Sequence, residues 1–85
     1  MEENTEIKLY PNPTFETVTF AFSDEILHKG KIQIFTSNGS LVLTHFYQIT
    51  NPHFFNLNIS EISTGIYTVV ISDNKQIAIK KLVVD

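Results

Sequence analysis

The stretch that decides the fold is Lys31-Ile32-Gln33-Ile34-Phe35-Thr36-Ser37-Asn38-Gly39-Ser40-Leu41-Val42-Leu43. Ile32 and Ile34 are two positions apart, so they point to the same face of a strand. Leu41 and Leu43 have the same spacing after the turn and are predicted to share a face as well. Between the two runs, the pair Asn38-Gly39 tolerates positive φ at both central positions of a tight turn. The stretch therefore predicts a β-hairpin.

Two other segments show the alternation of a strand with one buried face. In the first, the inward residues are Val18, Phe20 and Phe22. In the second, residues 54–59, they are Phe55, Leu57 and Ile59, and Phe54 is left on the wetter side.

The last two apolar runs are less regular. Residues 66–71 place Tyr67, Val69 and Ile71 on one face, but Ile66 and Val70 make the other face apolar too. This pattern predicts a central strand that is covered on both sides. The final run has Ile77 and Ile79 on one parity and Leu82 and Val84 on the other. Either both of its faces are buried, or a β-bulge near Lys80-Lys81 shifts the register.

Together with a short first strand near residues 7–10, the chain of 85 residues holds seven predicted strands and no persuasive helix. Short strands separated by regular turns predict an all-β fold, a seven-stranded immunoglobulin-like antiparallel β-sandwich. Glu2, Glu3 and Glu6 give the start of the chain a solvated character, so residues 1–8 are interpreted as a linker or lead-in. Residues 9–85 are interpreted as one domain.

Composition and charge exclude several classes of function. The net charge of −3, with six lysines and no arginine, argues against binding to DNA or RNA, which requires clustered cations. The chain has no cysteine, which excludes disulfides and thiolate chemistry. No segment has the length and apolarity of a membrane-spanning helix, and no signal peptide follows Met1.

The residues also argue against catalysis, cofactors and metals. His28, His45 and His53 show no close pair with metal-ligand spacing, and the acidic pairs at Asp24-Glu25 and Asp73-Asn74 are interpreted as turns. No serine is flanked by glycines as in a nucleophile elbow, and the three glycines are too far apart for a phosphate-binding loop. We therefore expect neither an enzyme nor a cofactor-binding protein.

Near the start of the predicted domain lies Tyr10-Pro11-Asn12-Pro13, here called the proline motif. Its prolines fix φ and lack backbone donors, so this segment is expected at a sheet edge or in a turn. Tyr10 is expected to bury its ring while its hydroxyl reaches a polar partner. On the residues alone, the motif is most simply a rigid lead into the first strand.

The ordered set of motifs resembles the C-terminal sorting domain, type A, of the type IX secretion system. The resemblance rests on Leu9 with the proline motif, the middle segment Ile34-Phe35-Thr36-Ser37-Asn38-Gly39-Ser40-Leu41-Val42, the run Gly65-Ile66-Tyr67-Thr68-Val69-Val70-Ile71 and the ending Lys80-Lys81-Leu82-Val83-Val84. It covers the chain from about Leu9 to Val84. The known β-sandwich of this family agrees with the predicted strands.

The resemblance implies a non-catalytic export address at the end of a larger secreted protein of a Gram-negative bacterium. Its expected partners are the type IX translocon, an outer-membrane shuttle protein and a sortase, which commonly removes the domain and anchors the passenger. The parent would pass through the periplasm to the cell surface or the medium. The positions that the resemblance implies for recognition are Tyr10, Pro11, Asn12, Pro13, Gly39, Gly65, Tyr67, Lys80, Lys81, Leu82, Val83 and Val84.

Simpler readings and other functions remain open at this point. On the simpler interpretation, Gly39 and Gly65 serve backbone geometry alone, and Tyr67, Leu82 and Val84 serve the core alone. A second functional class is a carbohydrate-binding or adhesive module, for which Tyr47 and Phe54 would form an exposed platform. A third is a small hydrolase, for which the sequence offers no constellation. A sheet edge offers a route to recognition without any pocket, because a partner strand can pair with it.

Overall fold

A computed structural model describes residues 7–14, 16–22, 29–48, 54–73 and 77–85. These residues form seven β-strands: β1 (Ile7–Tyr10), β2 (Thr17–Phe22), β3 (Lys29–Thr36), β4 (Leu41–Gln48), β5 (Phe54–Asn58), β6 (Gly65–Ser72) and β7 (Ile77–Val84). The all-β prediction and the number of strands are confirmed. β1 begins at Ile7, whose side chain is buried, two residues before the predicted domain start at residue 9.

The strands form two antiparallel sheets. The first has the order β1-β2-β5 and the second the order β4-β3-β6-β7. In constant-type immunoglobulin domains the four-stranded sheet contains the first strand, whereas here the first strand belongs to the three-stranded sheet. β4 pairs with β3 in the four-stranded sheet. Seven antiparallel strands in two sheets still form the predicted immunoglobulin-like sandwich.

The core lies between the two sheets and is built from the predicted inward faces. Val18 and Phe20 are fully buried on β2, as are Ile32 and Ile34 on β3. Leu57 on β5 and Ile59 directly after this strand are buried, and Phe55 packs against the core while Phe54 is exposed, as the alternation predicted. An aromatic cluster fills one part of this core: the Phe20 and Phe55 ring centroids lie 5.2 Å apart, and those of Tyr47 and Phe55 lie 5.3 Å apart.

The hairpin is confirmed, but its turn differs from the one predicted. The Gly39 N–H donates to the Thr36 carbonyl oxygen (3.0 Å), and the Thr36 N–H donates to the Ser40 carbonyl oxygen (2.8 Å). The central positions of the turn are therefore Ser37 and Asn38, with Gly39 following at φ 93°. This is the geometry of a three-residue loop closed by a glycine, so Asn38-Gly39 does not supply both central positions.

A register shift overturns one predicted face in this hairpin. The pairing of β3 with β4 shifts between Ile34 and Phe35, so that Leu43 lies opposite Ile34 and Leu41 lies opposite Phe35. Leu43 packs against the core, whereas Leu41 is 53% exposed. The prediction that Leu41 and Leu43 share a face is wrong. A β-bulge between these two residues interrupts the alternation of faces along β4.

β6 and β7 also differ from their predictions, because the outer face of each strand is exposed. β6 is an interior strand with Tyr67, Val69 and Ile71 buried, but its other face is open and Ile66 is 57% exposed. β7 pairs with β6 in an unbroken register. Neither alternative given for β7 holds: no bulge lies near Lys80, and Ile77 and Ile79 are each 64% exposed. Apolar residues on both parities thus reflect an exposed apolar outer face, not a second core.

Candidate functional site

The proline motif and the last strand, which are far apart in sequence, meet at one edge of the four-stranded sheet. The Asn12 side chain spans two backbone groups of β7: its Nδ2 donates to the Lys81 carbonyl oxygen (2.9 Å), and its Oδ1 accepts from the Val83 N–H (2.9 Å). An amide is suited to this position because it carries one donor group and one acceptor. Asn12 thus pairs with β7 much as a neighbouring strand would.

The backbone of Thr14 extends this contact toward the end of the chain. The Thr14 N–H donates to the Val83 carbonyl oxygen (2.9 Å), and the Thr14 carbonyl accepts from the Asp85 N–H (2.6 Å). Thr14 is buried, and its hydroxyl donates to the Thr17 carbonyl oxygen at the start of β2 (2.7 Å). The contact between residues 12–14 and residues 81–85 is called the terminal junction below.

The remaining residues of the proline motif shape the surface of the terminal junction. The Tyr10-Pro11 and Asn12-Pro13 peptide bonds are cis, and both prolines are exposed. Tyr10 is 50% exposed, so the prediction that its ring is buried is wrong. A cleft beside the junction is lined by Pro11, Pro13, Thr14, Glu16, Thr17 and Asp85.

The structure brings most of the predicted recognition residues to this edge. Leu82 and Val84 are buried and lie opposite Tyr67 and Gly65 of β6. The Tyr67 ring covers Gly65, and its hydroxyl donates to the Ser63 carbonyl oxygen (2.7 Å). Tyr67, Leu82 and Val84 therefore belong to the core, whereas Val83 has its backbone in the terminal junction.

Gly39 lies away from this edge, whereas Lys80 and Lys81 are part of β7, the edge strand itself. Gly39 lies in the β3–β4 turn, separated from β7 by two strands. Lys81 is opposite the exposed Thr68, and Lys80 is opposite the buried Val69. The two lysines therefore point to opposite faces of the sheet, and the half-buried Lys80 is on the core-facing side of an edge strand. An inward-pointing charge at an edge is one of the ways in which proteins prevent unwanted strand pairing.

Sequence reasoning missed two residues that shape the sandwich. A Cβ atom on Gly30 would lie 2.1 Å from the Ser72 carbonyl oxygen, so this position admits no side chain. Tyr47, opposite Gly30 in β4, is buried, and its hydroxyl has no hydrogen-bond partner among the described residues. Burial raises the pKa of Tyr47 above its ordinary value, and the nearby negative charge of Asp73 raises this pKa further. Residue 47 lies an even number of positions after Leu41 and Leu43. A strict alternation along β4 therefore predicts that Tyr47 faces inward.

The burial of Tyr47 also removes the platform suggested for carbohydrate binding. Tyr47 is 7% exposed and lies in the four-stranded sheet, whereas Phe54 is in the other sheet. The prediction that these two aromatics form one exposed surface is wrong.

The described residues contain no group of side chains that could hold a metal ion, and no helix long and apolar enough to cross a membrane. His45 is half-buried in β4, opposite Ile32, and its ring centroid lies 5.7 Å from that of Phe55 in the other sheet. His28, His53, Asp24, Glu25 and Asn74 lie outside the described residues.

These observations define an immunoglobulin-like β-sandwich whose first and last described segments are joined by an asparagine side chain. The comparison with known families matches residues 8–85 to the Secretion system C-terminal sorting domain. The chain belongs to this family, whose members act as sorting signals for type IX secretion and are generally non-catalytic. Membership implies export to the cell surface or into the medium as part of a larger parent protein.

The other comparisons add little. A similar solved structure is that of the sulfur carrier protein SoxY from Chlorobium limicola f thiosulfatophilum, with a TM-score of 0.45 and 20% sequence identity, covering 95% of this chain and 78% of that chain. A likeness at this level carries no argument here. No curated protein matches the chain.

Proposed function

We propose that this chain is a folded export address that an outer-membrane shuttle protein and the type IX translocon read at the terminal junction, and that a sortase afterwards removes. The observation that carries the proposal is the pair of hydrogen bonds from the Asn12 side chain to Lys81 and Val83. These bonds place two of the sequence segments that carry the family resemblance side by side. A partner could therefore contact both segments at once, but only while the domain is folded.

The position of β1 supports removal upstream of the sandwich. Ile7 is 1% exposed and pairs with Phe22, so cleavage at or after this residue would require part of the domain to unfold. The residues before it include Glu2, Glu3 and Glu6, which suit a solvated linker. We place the folded domain at residues 7–85 and the processing site before it.

Sufficiency for export tests the proposed function most simply. Residues 1–85 fused to the end of a stable periplasmic reporter should send that reporter to the cell surface or medium in a host with a working type IX system. The same fusion in a host that lacks the translocon is the control and should stay in the periplasm. Retention of a folded, intact fusion in the competent host would contradict the proposal.

A further inference from the structure

Among the described residues, only part of the outer edge of β7 has hydrogen-bond partners. Both backbone groups of Val83 bond away from β6, the N–H to Asn12 and the C=O to Thr14. Because successive residues of a strand direct these groups to alternate sides, those of Ile77, Ile79 and Lys81 point to the same outer edge. Of these groups, only the Lys81 carbonyl has a partner among the described residues. Among the described residues, none pairs with the edge from Ile77 to the Lys81 N–H, which is called the open edge below.

The side chains along this open edge differ on the two faces of the sheet. On the outer face, Ile77 and Ile79 are each 64% exposed and lie beside the half-buried Val70. On the core-facing side, Ala78 and Lys80 are half-buried. An exposed apolar edge strand attracts pairing, and proteins usually prevent this with prolines, bulges or charges. Here the only charge of β7 that faces the core side is that of Lys80.

The charges nearby indicate what kind of strand fits. The edge strand β7 carries Lys80 and Lys81 and no acidic residue, although the whole chain has a net charge of −3. The N–H and C=O groups of Lys80 point toward β6. The residue of an added strand that lies opposite Lys80 would therefore form a non-hydrogen-bonded pair with it. Side chains approach most closely at such sites, and opposite charges there are favourable.

We infer that the open edge from Ile77 to Lys81 is a docking site for one extended segment of a partner protein, which adds to the sheet as a fifth strand. The segment carries an acidic residue opposite Lys80 and apolar residues opposite Ile77 and Ile79. Main-chain hydrogen bonds supply affinity, and the alternating side chains supply specificity. This inference rests on the proposed function and gives it a mode of recognition.

A second copy of this chain fits the edge less well. Pairing β7 with β7 of another molecule would bring two cationic strands together, and like charges directly opposite are unfavourable. The terminal junction also limits the added strand to about the first half of β7, because Asn12 and Thr14 occupy the rest of the edge. The occupant is therefore a short acidic and apolar segment.

Binding is tested with the peptide acetyl-Thr-Glu-Val-Thr-Val-amide, which in antiparallel pairing places Glu opposite Lys80 and valines opposite Ile77 and Ile79. Added at millimolar concentration to the labelled domain, it should shift the amide NMR signals of Ile77, Ile79 and Lys81 and slow their hydrogen exchange. The Val83 amide should already be protected without peptide. Replacing the peptide's Glu by Lys should weaken binding several-fold, and Lys80→Glu in the domain should reverse this preference. Absence of these shifts, or shifts spread over the other sheet, would overturn the inference.

Export of reporter fusions tests the biological role of the edge. Ile79→Pro removes the outward N–H without breaking a bond to β6, and proline is tolerated on edge strands whose N–H faces solvent. Ile79→Thr keeps the N–H and is the matched control. Ile79→Pro should block export while Ile79→Thr permits it, with both domains folded by thermal melting. If Ile79→Pro does not fold, Lys80→Glu takes its place and should reduce export.

The outcomes separate the inference from the proposed function. Failure of the wild-type fusion to leave the periplasm contradicts the proposed function, while the peptide titration still decides whether the edge accepts a strand. Export of the wild-type and of a folded Ile79→Pro fusion to the same extent supports the proposed function and overturns the docking site. Dimerisation of the domain that Ile79→Pro abolishes would identify a second copy as the occupant and overturn the acidic segment.

Discussion

Asn12 is the residue on which the terminal junction depends most. Asn12→Ala removes both side-chain bonds to β7 and should lower the free energy of unfolding by about 1 kcal/mol, since exposed hydrogen bonds contribute modestly. Asn12→Asp keeps an acceptor for the Val83 N–H but places an oxygen against the Lys81 carbonyl, so it should destabilise at least as much. Denaturant unfolding and hydrogen exchange of the Val83 amide provide the measurement.

A matched control for Asn12 is Asn56→Ala on the other sheet. Asn56 is exposed and accepts one bond, from the Thr19 hydroxyl (2.7 Å). This variant should change stability less than Asn12→Ala and leave Val83 protected. Equal exchange rates for Val83 in wild type and in Asn12→Ala would contradict the junction.

Tyr47 and Tyr67 form a second informative pair, because both rings are buried but only the Tyr67 hydroxyl has a partner among the described residues. Tyr47→Phe should therefore leave stability unchanged or raise it, whereas Tyr67→Phe should lower it by about 1 kcal/mol. Thermal and denaturant unfolding of both variants measure this. A loss of more than about 1 kcal/mol in Tyr47→Phe would contradict an unpartnered hydroxyl.

The raised pKa of Tyr47 adds a pH dependence to this prediction. The folded state keeps the phenol protonated at a pH at which the unfolded chain has lost the proton, so the contribution is complete below about pH 10 and decreases above it. Unfolding measured between about pH 9 and 11 should show a decline that is smaller in Tyr47→Phe. An identical decline in both proteins would assign it to other groups.

Among the elements, β7 is the strand whose faces the sequence left undecided. Leu82 is fully buried and Val83 is half-buried on the outer face. Leu82→Ala should lower the free energy of unfolding by about 2–5 kcal/mol, whereas Val83→Ala should lower it by about 1 kcal/mol or less. Chemical denaturation of the two variants compares neighbouring positions of one strand. Equal losses would indicate that both faces of β7 are buried.

The strands were predictable because a period of two identifies a buried face without knowledge of any partner. That reasoning placed Val18, Phe20, Ile32 and Ile34 correctly. It failed for Leu41, where a bulge changed the parity, and for β7, where an exposed apolar face resembles a buried one in sequence. Asn12 was singled out only by resemblance, since its partners are 69 and 71 positions away and no local pattern connects them.

For the whole molecule, the proline motif joins the two sheets. β1 belongs to the three-stranded sheet, and Thr14 forms a parallel bridge with Val84 of the four-stranded sheet. Prolines suit such a crossing because they need no backbone donor and stay at edges. The start of the folded domain is thereby tied to the last strand.

For the proposed removal by a sortase, this arrangement predicts the position of the cut. Because Ile7 is buried and paired, the released passenger should end at or before about Glu6. Mass spectrometry of the secreted passenger's C-terminus measures this position. A C-terminus within residues 18–84 would contradict an intact sandwich as the unit that is removed.

The proposed export address is the folded sandwich and not a linear sequence. Three fusions of one reporter test it: wild type, Val69→Asp, which places a charge at a fully buried position of β6, and Asn56→Asp, which adds the same charge at an exposed position of the other sheet. The measurement is the secreted fraction of intact fusion, with the fold of each purified domain checked by thermal melting.

Wild type and Asn56→Asp should be exported, while Val69→Asp, which buries an unpaired charge, should unfold and remain in the periplasm as intact fusion. Export of an unfolded Val69→Asp fusion at the wild-type level would contradict the account, because a sequence read without its fold would then be a sufficient address.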